Sequence, residues 1–158
     1  MGKKDEYQEL LSVLNKFFVE DSPVNKALGI KITAVDSGKP QLQFEMKDDL
    51  VGWIHKPMLH GGIIASVLDS VGGVTVYLDI TGKMKGGSPQ EKMGKYLEKY
   101  KLSTIDLRID YLGPGKGKVF TASGSILRTG SKLGVARMEL HNDKQQLIAV
   151  GTGTYIVA

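Results

Sequence analysis

A single carboxylate, Asp69, stands in a stretch of small and apolar residues. Ala65, Ser66, Val67 and Leu68 precede it, and Val71, Gly72 and Gly73 follow after Ser70. An unpaired charge among such neighbours is costly to bury unless it takes up a proton or finds a partner. A carboxylate kept there has a partner or a task, and an ionised carboxylate offers general-base or nucleophilic work. The competing reading is a carboxylate turned toward a polar edge, accepting a hydrogen bond from a neighbouring element.

His60-Gly61-Gly62 opens the same stretch. At a helix start the first amide N–H groups have no intrahelical acceptor, and the positive end of the helix dipole favours an anion or a polarised carbonyl beside them. Two glycines let a ligand approach that backbone closely. The plainer alternative is a flexible start to a helix. Asp69 lies eight residues beyond Gly61, so along one helix the two are about 12 Å apart. They cannot hold one carbonyl between them. If both serve the same reaction they come from oppositely directed helices of two subunits, so this chemistry predicts a homodimer.

Other chemistries are excluded or weakly supported. The chain has no cysteine, which removes disulfides, thiolate metal sites and cysteine nucleophiles. His55, His60 and His141 lack the spacing of metal ligands, and no metal is expected. Ser70 and Thr75 could hold a water, but hydroxyls on a buried helix more often bond back to its carbonyls, and both are left outside the site. His141, ahead of Asn142-Asp143, reads as a turn residue. The formal charge is +4 and the pI about 9.2. The lysines are dispersed except between Lys83 and Lys101, a cluster that reads as a solvated face, so neither nucleic acid nor membrane is expected as a partner. The apolar run from Ile63 to Ile80 is broken by two aspartates, paired glycines and hydroxyls and makes a poor membrane span. Met1 to Glu6 is charged where a secretory signal would be apolar, and the expectation is a soluble, cytoplasmic protein.

The elements that must position these residues follow from periodicity. With 158 residues, 41% of them hydrophobic, one domain spanning 1–158 with a substantial core is expected. Leu10, Leu11, Leu14, Phe17 and Phe18 recur at helical intervals and predict an N-terminal helix over about 5–20. Pro23 starts a short turn ending near Gly29. Alternation in 29–35 and 41–47 predicts a hairpin turning at 36–40. After a loop with Trp53, His55 and Pro57, the His60-Gly61-Gly62 stretch predicts about five turns of central helix. A basic insertion over about 82–100 follows, in which Pro89, Lys92, Met93, Tyr96 and Leu97 suggest a short helix. Four strands come last, parted by glycine- and proline-rich corners as in an antiparallel meander. This order is α+β, a sheet wrapped around one helix.

The run from His60 to Asp69 resembles the signature of hotdog-fold thioesterases, in the bacterial acyl-CoA branch, where His-Gly-Gly is followed by an acidic residue seven positions after the second glycine. The likeness extends to Ile105–Gly115 and the final strands, covering roughly 24–157, and is close to the enteric long-chain acyl-CoA thioesterases. It implies a hotdog fold, dimeric with the two sheets joined, and sites at the dimer interface. It makes Asp69 the general base or nucleophile, Gly62 the backbone donor that polarises the thioester carbonyl, and His60 the residue that orients that carbonyl or the helix start. The aromatic-acyl relatives carry a glutamine where Ile54 or His55 stands, so no role falls to His55. The implied activity is hydrolysis of medium- to long-chain acyl-CoA without a cofactor, in a homodimer or a dimer of dimers. Gly61 and the turn Arg128-Thr129-Gly130-Ser131-Lys132 would meet the CoA portion, with Arg128, Gly130, Ser131 and Lys132 as its phosphate contacts. The insertion would be a lid over the substrate channel. The alternatives are a non-catalytic acyl-CoA-binding hotdog protein and a hotdog hydratase or dehydratase.

Overall fold

The computed structural model describes residues 2–158. Helix α1 (Lys3–Asn15) runs into a π-helical turn (Lys16–Glu20), followed by α2 (Pro23–Leu28). Pro23 sits at a first helical position, where its missing N–H leaves nothing unsatisfied, and Gly29 ends α2 in the left-handed region at φ 72°. Strands β1 (Lys31–Asp36) and β2 (Lys39–Glu45) form the expected hairpin. Its turn residues Ser37 and Gly38 both have positive φ, as a two-residue turn matched to strand twist requires. Asn15 on α1 extends the β1 edge, donating to the Ile32 carbonyl (2.8 Å) and accepting the Ile32 N–H (2.9 Å).

The central helix α3 (Gly61–Gly82) has 22 residues, about six turns. By length and hydropathy it could cross a membrane. Most of it is instead buried within this chain, from Ile64 through Thr81. Helix α4 (Pro89–Lys99) lies in the lysine-rich insertion and is started by a reciprocal cap between Ser88 and Glu91. Strands β3 (Ser103–Tyr111), β4 (Val119–Thr129), β5 (Leu133–Asn142) and β6 (Leu147–Ile156) complete one antiparallel sheet in the order β1-β2-β4-β5-β6-β3.

This order corrects the expected meander. Strands β4, β5 and β6 do form one, but β3 pairs with β6 at the far edge. The run containing Gly113, Pro114, Gly115 and Gly117 is a crossing, not a hairpin corner. The residues between Tyr111 and Val119 pass the strand ends to reach β4, a step of three strand spacings, about 14 Å, within the reach of such a segment. Leu112 and Gly113 N–H both donate to the Ile148 carbonyl (2.9 and 3.0 Å), and Asn142 Nδ2 donates to the Lys116 carbonyl (2.8 Å). Periodicity reports which face a residue takes, and it is silent on which strand lies alongside. His141 is likewise a strand residue, opposite Thr121 on β4, and the turn falls at Asn142–Gln146.

The helix rests on the inner face of the sheet at sites cleared of side chains. A Cβ on Gly124 would lie 2.0 Å from Thr75 Oγ1, and one on Gly72 would lie 2.0 Å from the Tyr155 hydroxyl. Close packing of this kind leaves no room for even a methyl group. The Thr75 hydroxyl bonds back to the Val71 carbonyl (2.7 Å), as expected, whereas Ser70 Oγ donates to Asn25 Oδ1 (2.7 Å) and ties α2 to α3.

Candidate active site

His60 caps α3 with an extended backbone (φ −62°, ψ 137°), and its Nδ1 accepts the Gly62 N–H at 2.9 Å. An accepting Nδ1 is the unprotonated ring nitrogen. The Gly62 N–H assigned to the substrate by resemblance is therefore engaged by a side chain. The Gly61 N–H has no acceptor among the described residues. The Gly61 carbonyl accepts from the Tyr111 hydroxyl (2.8 Å), which ties the helix start to the end of β3. His60 and Gly62 are solvent-exposed.

Asp69 is half-buried in the third turn of α3. Its Oδ1 accepts from Thr104 Oγ1 (2.8 Å), and its backbone carbonyl accepts from the Tyr155 hydroxyl (3.0 Å). Oδ2 has no hydrogen-bond partner among the described residues. Burial, reinforced by the Asp69 charge, pushes the Tyr155 phenol well above its ordinary range. Tyr155 is thus a neutral donor at any physiological pH.

Thr104 and Tyr111 are partners that sequence reasoning missed. Thr104 shares the numbering parity of Asp106, Arg108 and Asp110, which face away from the helix. A bulge at Ile105 breaks that parity, so that Thr104 pairs with the inward Tyr155 while Asp106 pairs with Thr154. One extra residue thereby turns a hydroxyl toward Asp69. No composition or spacing signal marks this bulge.

The remaining candidates lie apart. A second bulge, between Ile126 and Arg128, aligns Arg128 with Val135 rather than with Gly134. Arg128 therefore points to the outer face of the sheet, away from α3. Gly130, Ser131 and Lys132 form the exposed β4–β5 turn, closed by Gly130 N–H donating to the Leu133 carbonyl (2.8 Å). Leu133 and Ser103 both pair with Ile156, which places this turn two strands from the start of β3. Within one chain Gly61 and Asp69 stay about 12 Å apart on their shared helix.

The thioesterase superfamily profile matches residues 57–149, more than half of the chain. Over 150 residues the chain is 39% identical to the medium/long-chain acyl-CoA thioesterase YigI of Escherichia coli K12, covering 95% of each protein. A Shewanella oneidensis protein related to the thioesterase superfamily superimposes with a TM-score of 0.84 at 39% identity, covering 96% of this chain and 97% of that one. A candidate thioesterase from Syntrophus aciditrophicus gives 0.80 at 38% identity, covering 99% of this chain and all of its own. With its antiparallel sheet packed on one long helix, the chain has the hotdog fold, belongs to the thioesterase superfamily and is a thioester hydrolase.

Proposed function

We propose that the protein hydrolyses medium- to long-chain fatty acyl-CoA to the free fatty acid and CoA, with Asp69 as the catalytic carboxylate. The observation that carries this reading is the state of Asp69: among the described residues it is held at one oxygen by Thr104 and free at the other, on the helix whose first N–H is also free. The 39% identity to an enzyme named for medium- and long-chain acyl-CoA supports the substrate class.

As general base, Asp69 takes a proton from water while the water oxygen attacks the thioester carbonyl carbon. The carbonyl oxygen gains negative charge and is met by N–H at the start of α3. Collapse breaks the carbon–sulfur bond, and the CoA thiolate takes the proton back from Asp69. The Gly61 N–H is ready for this role, and Gly62 N–H joins it when His60 Nδ1 swings away. Preorganised donors of this kind are typically worth about 3 to 4 kcal/mol each. If Asp69 is instead the nucleophile, its oxygen displaces the CoA thiolate to form a mixed anhydride with the acyl group, and oxygen-labelled water leaves its label in Asp69 after a single turnover when it attacks that anhydride at the Asp69 carbon.

The donors come from a second copy. Strand β3 ends the sheet with one edge unpaired, and Ile105, Tyr111 and Leu112 at that edge are more than half exposed, as are Trp53 and Ile54 beside the helix start. Apolar groups gathered at an open edge favour pairing with another strand. Antiparallel pairing of two β3 strands about Leu107 sets Thr104 opposite Asp110 of the partner subunit and Ser103 opposite Tyr111 of the partner subunit. Thr104 holds Asp69 and Tyr111 holds Gly61, so each Asp69 meets Gly61 of the partner subunit. The turn bearing Gly130, Ser131 and Lys132 lies toward the same end of β3, where it can reach CoA phosphates, with Arg128 on the outer face. The dimer works in the cytoplasm without a cofactor, and pairing of dimers is compatible with the exposed outer face.

Removing the Thr104 hydroxyl leaves Asp69 free to rotate. Thr104→Val is expected to lower kcat about tenfold with little change in KM, because the β-branched shape that suits a strand is kept. Steady-state rates with one saturating substrate check this. The functional assignment itself is tested by thiol release from acyl-CoA esters running from short to long aliphatic and including benzoyl and phenylacetyl. Release that favours medium and long chains is expected. Tight acyl-CoA binding without release would make the protein a sensor, and addition of water to an enoyl chain without thiol release would make it a hydratase.

A further inference from the structure

Helix α4 packs on α1 and on the C-terminal half of α3, where Tyr96 meets Tyr77 edge-on with ring centroids 4.8 Å apart. Between α1, α4, the β1–β2 turn and the end of α3 is a cavity of about 360 Å³, within the size range of small-molecule sites. Its apolar wall includes Leu10, Val35, Tyr77 and Leu78, and Lys3 and Lys92 also line it, with Glu6 the one acidic lining residue among the described residues. Neither lysine makes an ion pair among the described residues. Gly38 and Gly82 also line it, and a Cβ on either would meet nothing within 4 Å. Leu78 is nine residues beyond Asp69 on α3, about 14 Å along the helix, so the cavity is separate from the catalytic carboxylate.

The geometry points to this cavity as a second binding site, for the anion of a medium-chain fatty acid. Its alkyl chain lies along Leu10, Val35 and Leu78, and its carboxylate faces Lys3 and Lys92. An apolar trough with two cations against one anion complements an amphiphile that is apolar along its length and negative at one end. The cations exclude a purely apolar ligand as the preferred occupant. The proposal rests on the acyl-CoA reading only for the origin of the ligand, which is then the product of the enzyme's own reaction. Binding stands independently of that origin.

The test is calorimetric titration of the full-length protein with hexanoate, octanoate and decanoate. Affinity is expected to rise about fourfold per added methylene, the worth of burying one CH2 group, and octanol is expected to bind more weakly than octanoate. A Cβ on Gly82 would meet nothing within 4 Å, so Gly82→Phe starts without a clash at the cavity wall and is designed to occupy it, and replacing glycine at the end of a helix favours the fold. Decanoate affinity is expected to fall more than tenfold in that variant, with an unchanged or raised Tm and unchanged hydrolysis of a short acyl-CoA. Lys92→Gln is expected to weaken decanoate binding while leaving octanol binding alone. Wild-type decanoate affinity in folded Gly82→Phe overturns the proposal, as does no measurable binding to the wild type. Competitive displacement of decanoate by a non-hydrolysable acyl-CoA thioether also overturns it, because the cavity would then house the tail of the substrate. If the protein hydrolyses no acyl-CoA while decanoate binding and its loss in Gly82→Phe both hold, the second site stands and the substrate assignment falls.

Discussion

Replacing Asp69 with asparagine is expected to lower kcat for acyl-CoA hydrolysis by about a hundredfold or more, with KM nearly unchanged. The substitution is close to isosteric. An amide oxygen still accepts the Thr104 hydroxyl, and the backbone carbonyl that receives Tyr155 is untouched. The proton acceptor is lost, and with it a charge that the half-buried position would otherwise have to stabilise. The variant should therefore be at least as stable as the wild type, which separates a chemical loss from a folding loss. Thiol release and thermal unfolding, measured on both proteins side by side, decide the matter. A loss below tenfold would leave Asp69 with the lesser role of a carboxylate turned to a polar edge, serving as an acceptor for Thr104.

The second large effect concerns the helix start. Gly61→Pro deletes one N–H and little else. Gly61 is the first helical residue, where proline is well tolerated, and the preceding His60 already has the extended backbone that a following proline demands. The position that a Cβ would take on Gly61 lies at ordinary contact distance from the Tyr111 ring. Loss of an oxyanion donor typically costs a hundredfold to a thousandfold in kcat, and a fall of about a hundredfold is expected here, with the dimer intact by light scattering. Near-normal turnover would transfer the role to Gly62, whose N–H would then have to leave His60 Nδ1 before substrate could use it.

These two positions also show what the amino-acid sequence discloses. An isolated carboxylate in an apolar helix and a His-Gly-Gly start are visible because burial cost and backbone access are properties of residue type. The elements were legible for a similar reason: Leu10, Leu14 and Phe18 mark a helix, Leu42 and Phe44 mark one face of a strand, and all lie in or against the core. What stayed hidden was relational. Nothing in the alternation of Ile105, Leu107 and Ile109 tells that β3 borders β6 across a crossing rather than β4 across a turn. Nor does it disclose the bulge at Ile105 that turns Thr104 inward. Arg128 was a candidate because it adjoins a turn, and a bulge at its neighbour sets it on the outer face. The His60–Gly62 contact depends on a side-chain torsion, which periodicity does not address. Tyr155 reaches the Asp69 carbonyl only because Gly72 carries no side chain, a pairing of residues 86 apart in sequence that no local pattern encodes.

On the proposed dimer, each site takes its carboxylate from one subunit and its N–H donor from the other. Asp69→Asn and Gly61→Pro subunits can be purified separately, mixed in equal amounts under mild denaturation and refolded together. In a mixed dimer one site carries both defects and the other carries neither. Random pairing makes half of the dimers mixed, so about a quarter of all sites are intact. Thiol release from the mixture is therefore expected at about one quarter of the wild-type rate, far above either variant refolded alone. A mixture no more active than its two parents would contradict a site shared across the β3 edge and would place the whole reaction within one chain.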